Sequence, residues 1–270
     1  MTRALRLEKL MGKVYLIGAG PGAPDLLTVR AARILERADI VFHDALVHPE
    51  VIALATRARI VPVGKRCSQI STDQRFINRA LCEAGVRFET VVRLKGGDPM
   101  IFGRAQEEID ALRAAAVDFE IVPGVTAALA ASADLGVSLT RRGVSRSVVF
   151  ATPRIGDDQS AGPEQHAWAR AVAAAETAVL YMSRGDATAL AAALKAAGLP
   201  GSHPAAIVES ASLPSGQQLT CTLDQLPDRV RETTGGPALV ILGEVLRETK
   251  VNATAKPNTE AQRTQRTANE

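Results

Sequence analysis

The feature that most constrains this chain is a recurring join: a short apolar run that stops in glycine or proline and is followed by a helical period. Residues 14–17 run into Gly18-Ala-Gly-Pro-Gly22, residues 91–94 into Lys95-Gly-Gly-Asp-Pro99, and residues 119–122 into Pro123-Gly124. Runs of that length broken by glycine read as buried strands feeding loops. Residues 39–43 and 60–63 read as two further strands. Helical patterning lies between them. Residues 26–38 carry Leu27, Ala31, Ile34 and Leu35 on one stripe; residues 51–55, 73–84 (stopping at Gly85) and 107–116 follow. Five strands alternating with helices predict a parallel sheet with helices on its faces. In such sheets the ligand crevice lies at the carboxyl ends of the strands. Gly18–Gly22, Asp44, Gly96–Pro99 and Gly124 are therefore expected on one edge.

The second half reads as a further α/β unit. Residues 126–135 form an alanine-rich helix, 147–152, 178–182, 205–209 and 238–243 strands, and 168–175 and 187–197 helices. The expected organisation is a leader (1–12), an N-terminal α/β domain (13–124), a C-terminal α/β domain (125–248) and a polar, aperiodic tail (249–270) read as disordered.

Composition narrows the function. With 32 basic and 29 acidic residues the net charge is only +3, and there are nine aromatics, six of them Phe. That argues against nucleic acid, which needs a basic excess or a stacking surface. Three dispersed cysteines, Cys67, Cys82 and Cys221, suit a reducing compartment. No apolar run reaches the roughly 18 residues of a membrane span, and the N-terminus lacks the apolar core of a signal peptide. The expectation is a cytoplasmic protein without a membrane partner. His43, His48, His166 and His203 have no metal-ligand spacing, so no metal is expected.

Several stretches are candidates for chemistry. The glycine loop at 18–22 fails the dinucleotide pattern GxGxxG, because Ala23 stands where the last glycine should be. Pro21 also lacks a backbone donor. Gly96 and Gly97 offer backbone to a ligand, and Asp98 either caps a turn or accepts from a ligand amine or ribose. Arg104 and Glu107 share a helix face, as a solvated pair or as part of a site. Asp44 ends a strand, well placed for a base or a ligand contact, and Lys65 follows the next one. Arg141, Arg142, Arg146 and Arg154 suit a polycarboxylate or phosphate, or solvated surface. Met182 ends a strand as core or as a soft lining.

Taken in order, the segments VYLIGAGPGAPDLLTVRAARIL, HDALV, VGKR, VVRLKGGDPMIFGRAQEEI, VPGVTAALAA, LTRRG, LYM and PALVILGEV resemble the uroporphyrinogen-III C-methyltransferases of the tetrapyrrole methylase superfamily, from about residue 13 to 247. The resemblance implies two α/β domains with S-adenosylmethionine in the cleft between them, and a homodimer. It implies methylation of uroporphyrinogen III at C2 and C7, through precorrin-1 to precorrin-2, with S-adenosylhomocysteine as by-product. Such a product feeds sirohaem, cobalamin or haem d1 routes. By matched position, Pro21, Gly96, Gly97, Asp98, Ile101, Thr126, Ala127, Met182, Ala211 and Ala238 would line the cofactor. Asp44 and Lys65 would be the acid–base pair, and Arg104 with Glu107 a second pair implicated in proton removal. Arg142 and Arg154 would grip substrate carboxylates. The chain departs from the family pattern at His43 (usually Tyr), Ile70, Arg141 and Arg154 (usually His), Ser183 (usually Gly) and Ser210-Ala211 (usually Arg-Gly). A methylase of a later precorrin, and a non-catalytic binder of the same ligands, are the alternative readings. HDALV and GDPMIFGR favour the uroporphyrinogen-III reading, and the failed fingerprint disfavours a nicotinamide enzyme.

Overall fold

The computed structural model describes residues 12–64, 73–153 and 166–247. The expected leader up to residue 11, the tail, Ile70 and two predicted site residues, Lys65 and Arg154, lie outside the described residues. The chain divides into two compact units: the first runs to Ala131 and includes Ser210–Ser212, and the second takes 132–209 and the chain from Leu213.

The first unit is a five-stranded sheet. Its strands are β1 (Lys13–Gly18), β2 (Ile40–His43), β3 (Arg59–Pro62), β4 (Thr90–Lys95) and β5 (Asp118–Val122), in the order β3-β2-β4-β1-β5. All pairs are parallel, as the alternation predicted. The helices are α1 (Val29–Glu36), α2 (Pro49–Ala53), α3 (Gln74–Arg87) and α4 (Ala105–Ala114); α5 (Ala127–Leu135) follows. Strand side chains alternate between faces, so β1, β2 and β4 each feed two cores. Tyr15, Ile17, Val41, Val92 and Leu94 pack with Ala31, Ile34 and Leu35 of α1. Val14, Leu16, Phe42 and Val91 pack with Ile77 and Leu81 of α3 and with Ile109 and Leu112 of α4. Leu16, Leu35, Leu81, Leu94 and Leu112 are fully buried, each contributing roughly 1.5–3 kcal/mol.

Two local expectations change. The single helix expected over 26–38 is a 3-10 turn at Pro24–Leu26 followed by α1. The break falls where Leu27 and Thr28 turn extended and the Thr28 hydroxyl caps α1, accepting from Ala31 N at 3.2 Å. Gly85 does not end α3; the helix continues to Arg87. A Cβ at Gly85 would lie 2.5 Å from Val117 Cγ1 and 3.1 Å from Val14 Cγ2. The missing side chain lets the helix approach the sheet closely, which is a packing need and not a stop signal.

The second unit has a mixed sheet: β6 (Val148–Ala151), β7 (Thr177–Leu180), β8 (Pro204–Glu209), β9 (Gln217–Thr222) and β10 (Ala238–Gly243), in the order β6-β7-β10-β8-β9. β6 and β7 are parallel and the remaining pairs antiparallel. Helices α6 (Ala167–Ala174), α7 (Ala187–Ala196) and α8 (Leu226–Arg231) supply Ala169, Leu190, Leu194 and Leu226 to its core. β9 and α8 were not foreseen.

One carboxylate fastens this unit. Glu209, 1% exposed, accepts from Thr234 N and Oγ1 at 2.8 and 2.9 Å and from Gly235 N and Gly236 N at 2.7 and 2.5 Å. Burial alone would raise its pKa, but these donors reverse that and hold it below the ordinary value of 4.5. A depressed folded pKa gives stability that is present above the unfolded value and lost as pH falls through the folded one. Glu209→Gln is therefore expected to cost about 2 kcal/mol at neutral pH. Urea titrations should show that cost shrinking as pH is lowered below 4.5.

Candidate active site

The carboxyl edge of the first sheet brings three glycines into backbone contact. A Cβ on Gly18 would lie 2.6 Å from Gly124 Cα and from Gly97 O; one on Gly124 would lie 2.4 Å from Gly97 O. No side chain fits at either position, which is why apolar strands stop there in glycine. Gly97 has φ +67°, a conformation that favours glycine. Its backbone is not bare, contrary to expectation: Gly97 N donates to Gly20 O at 2.7 Å and Gly97 O accepts from Gly20 N at 3.2 Å. The loops after β1 and β4 are thus tied to each other, and what Gly97 offers a ligand is an absence of bulk.

Asp98 is held on both sides. Oδ1 accepts from Met100 N at 2.8 Å, the turn cap, and Oδ2 accepts from Gly124 N at 2.9 Å, which ties the loop after β4 to the loop after β5. A carboxylate has about four acceptor sites, so the capping role leaves room for a ligand hydroxyl or amine. Pro21, Gly96, Ile101 and Ala127 are partly buried around this edge, and Thr126 is buried.

Asp44 follows β2 at the same edge. Its amide donates to Leu94 O at 3.1 Å. Its Oδ1 accepts from Arg93 Nη2 at 2.5 Å. Arg93 and Lys95 alternate with Leu94 along β4, so both point to the side packed by α3 and α4. Both are 2% exposed, and Glu108 of α4 is 0% exposed. Glu108 Oε1 accepts from Arg93 Nε at 2.9 Å, Lys95 Nζ at 3.1 Å and Gln74 Nε2 at 3.2 Å; Oε2 also accepts from Lys95 Nζ, at 3.2 Å. Burial would lower the Arg93 pKa, but Asp44 and Glu108 outweigh it and keep the guanidinium charged. Burial, then Arg93 beside it, holds the Lys95 pKa below the ordinary lysine value. Sequence reasoning missed Arg93, Lys95, Glu108 and Gln74. The available signal was two cations at period two inside a strand otherwise buried on both faces.

Arg104 and Glu107 form a bidentate pair, Nε to Oε1 at 2.7 Å and Nη2 to Oε2 at 2.8 Å, with more than half of the Arg104 side chain exposed. Phe102 and Arg104 have φ 51° and 53°. Left-handed backbone at two non-glycine residues around Gly103 is strain of order 1–3 kcal/mol each, of the kind that gathers at functional loops. A Cβ at Gly103 would lie 2.7 Å from Pro99 O and 3.1 Å from Lys95 Cε, so this glycine lets the loop lie close to Lys95.

The remaining predicted residues divide between the units. Ala211 belongs to the first and is buried between Ser210 and Ser212, which have φ 51° and 69°. Ala211 itself is outside the positive-φ region, so alanine is unstrained where the family usually has glycine. Ser212 Oγ accepts from Ala23 N at 3.0 Å. In the second unit, Met182 stands two residues past Leu180 and Ala238 two before Val240, and Leu180 pairs with Val240, so both lie at one sheet edge. Met182 is exposed with φ 52°. Ser183 fills its place without strain, donating to Leu180 O at 3.2 Å. Arg142 is exposed on a turn closed by Arg141 N donating to Ser145 O at 2.9 Å. Arg146 pairs with Glu176 at 3.5 Å, so one guanidinium of the predicted cluster has a carboxylate partner within the protein.

Comparison with known proteins agrees with the motifs. Residues 13–227 match the family Tetrapyrrole (Corrin/Porphyrin) Methylases. A siroheme synthase of Azotobacter vinelandii is 42% identical over 241 residues, covering 88% of this chain and 51% of that protein. Siroheme synthase 2 of Halorhodospira halophila is 44% identical over 249 residues, covering 90% and 50%. The chain thus spans about half the length of these curated relatives. A solved uroporphyrin-III C-methyltransferase of Thermus thermophilus, complexed with S-adenosylhomocysteine, superposes with a TM-score of 0.75 at 38% identity, covering 87% of this chain and 99% of that one. With the fold, the glycine edge and the matched motifs in agreement over most of its length, this chain belongs to the tetrapyrrole (corrin/porphyrin) methylases.

Proposed function

We propose that this protein transfers methyl groups from S-adenosylmethionine to C2 and C7 of uroporphyrinogen III, giving precorrin-2. The observation that carries the proposal is the carboxyl edge of the first sheet. There a carboxylate braced from below, Asp44, shares an edge with a floor that has no side chains, Gly18, Gly97 and Gly124. The residues present suit the donor. A Cβ on Gly96 would meet only Leu46, its Cβ at 3.4 Å and its carbonyl carbon at 4.0 Å, and one on Gly97 only atoms 3.9 Å away, so a flat group has space there. Asp98 keeps acceptor sites for hydroxyl or amine groups. Ile101 supplies apolar surface at this edge; Met182 would add a polarisable thioether suited to a sulfur-bearing ligand.

The donor, when bound, supplies a methyl group already activated on a sulfonium. The protein's own contribution is then mostly alignment, which can supply several kcal/mol. Asp44 would face the positive charge that builds on the pyrrole ring and stabilise it. Arg93 holds Oδ1, and Oδ2 is the atom that would take the proton the macrocycle loses from a neighbouring position, because the methylated carbon already bears a side chain and has no proton to give up. Lys65 would return or relay that proton. Arg104 would grip a substrate carboxylate, exchanging its Glu107 partner for it, and Glu107 would then be available as a base. Arg142 and Arg154 would hold further carboxylates of a substrate that carries eight. The protein would work as a homodimer in the cytoplasm.

Mass spectrometry of the product from uroporphyrinogen III and S-adenosylmethionine tests the reading. Products with two added methyl groups support it; binding without turnover, or turnover only on a later precorrin, refutes it. Arg104→Ala is expected to raise KM for the tetrapyrrole and lower kcat, each about tenfold, consistent with losing a charge-assisted bond of 1.5–3 kcal/mol. A change in melting temperature alone would return Arg104 to an ordinary surface pair, worth under about 1 kcal/mol.

A further inference from the structure

We infer that Glu108 is a positioning residue: from inside α4 it clamps the Arg93 guanidinium and thereby fixes the Asp44 carboxylate at the sheet edge. The inference rests on the role proposed above for Asp44.

The guanidinium is a rigid planar fork, and it is fixed on three sides. Nε donates to Glu108 Oε1, Nη1 to Leu94 O at 3.3 Å, and Nη2 to Asp44 Oδ1. Leu94 O also accepts the Asp44 amide, so side chain and backbone of Asp44 are set by the same short piece of β4. Without Glu108 the Nε edge would face the core with no carboxylate, and the fork could rotate about its long side chain. Lys95 and Gln74 keep Glu108 from turning away: Lys95 bridges both carboxylate oxygens, and Gln74, itself held by Asn78 Oδ1 at 3.0 Å, closes the third approach.

Stability alone does not account for this arrangement. Ionised groups in a protein interior lose several kcal/mol of hydration each, and well-packed apolar side chains of similar volume are often as stable or more so. The same face of β4 begins with Val91, which packs apolar against α3 and α4. Charge enters at 93 and 95, where the strand approaches the edge that carries Asp44. Two cations, Arg93 and Lys95, meet two carboxylates, Glu108 and Asp44, and of the four only Asp44 is partly exposed, at 30% of its side chain. The cluster is neutral as a group and opens to solvent at the one member proposed to touch substrate.

The experiment uses the full chain labelled with 15N-arginine, with the Arg93 Nε–H resonance assigned by its loss in Arg93→Lys. In the native protein that proton is expected to exchange with water at least about 100-fold more slowly than the Nε–H of exposed arginines, as buried hydrogen-bonded groups do. In Glu108→Gln the protection is expected to fall about tenfold or more, kcat about tenfold, and both KM values to stay within about twofold, because the lost interaction acts at the reacting centre and not in binding. Adding Glu108→Gln to Asp44→Asn should cost no further rate, since the two act through one group. Should Glu108→Gln fail to fold, Lys95→Gln/Glu108→Gln keeps the buried cluster neutral, and the same losses are expected in it. A folded variant with native kcat, or additive losses with Asp44→Asn, overturns the inference. Protection of Arg93 that is unchanged by Glu108→Gln also overturns it. An Arg93 proton protected as described, in a native protein that methylates no uroporphyrinogen III, overturns the functional reading instead and leaves the clamp standing.

Discussion

Asp44→Asn is expected to reduce kcat by about 10²–10⁴, the range for removing a positioned general acid or base, with little change in stability. Asparagine keeps an oxygen to accept from Arg93 Nη2, so the bond that ties β2 to β4 at this edge persists in weaker form. What disappears is the negative charge and the atom that accepts a proton. Glu108 still accepts from Arg93 at 2.9 Å and from Lys95, so the cluster is left with one uncompensated positive charge, on the side that opens to solvent. Steady-state kinetics on tetrapyrrole and donor, beside a urea titration, separate the two effects. Native turnover in a folded Asp44→Asn protein would remove Asp44 from the mechanism.

Gly18→Ala is expected to destabilise the chain by about 3 kcal/mol or more. Overpacking normally costs about 1–3 kcal/mol because side chains can shift. Here the atoms met at 2.6 Å are Gly124 Cα, Gly124 N and Gly97 O, all backbone. None can swing aside without separating β1 from the loops after β4 and β5. Those loops carry Asp98 and Thr126, so donor binding should fall with stability. Gly185→Ala is the matched control: nothing lies within 4 Å of its Cβ and its φ is not positive, so it should stay within about 0.5 kcal/mol. Denaturant midpoints and calorimetric titration with S-adenosylmethionine read both quantities. Equal midpoints for the two variants would mean that the glycine edge yields more easily than its distances imply.

The first sheet was legible because its strands announce themselves twice, by apolar runs and by the glycines that end them. Residues 14–17, 91–94 and 119–122 each fall inside an observed strand. The gathering of Gly18, Gly97 and Gly124 followed from the topology of parallel sheets alone. Other features were hidden for physical reasons. Lys95 sits next to two glycines and reads as the first residue of a loop, although it is the buried last residue of β4. Glu108 looks like any acidic residue in the first turn of a helix, and only tertiary structure places it against Arg93. Gly85 has the local signature of a helix end, and the side chains that require it, Val14 and Val117, are distant in sequence. β9, Gln217–Thr222, is partly buried throughout and mostly polar, so neither alternation nor an apolar run marks it. α8 contains Pro227 at its first turn, which argues for a helix start only once a helix is suspected.

The mutual bonding of Gly20 and Gly97 has a consequence for selectivity. A surface whose amides and carbonyls already satisfy each other asks nothing of an approaching molecule except that it be the right shape. Discrimination on that side of the site is then subtractive, set by what cannot be accommodated, and polar recognition falls to the few groups with spare valence such as Asp98. Alkyl analogues of the donor should therefore be sorted by contour at this floor and not by any hydrogen bond lost there. Lineages that drift at either glycine would lose the latch before they changed the preference.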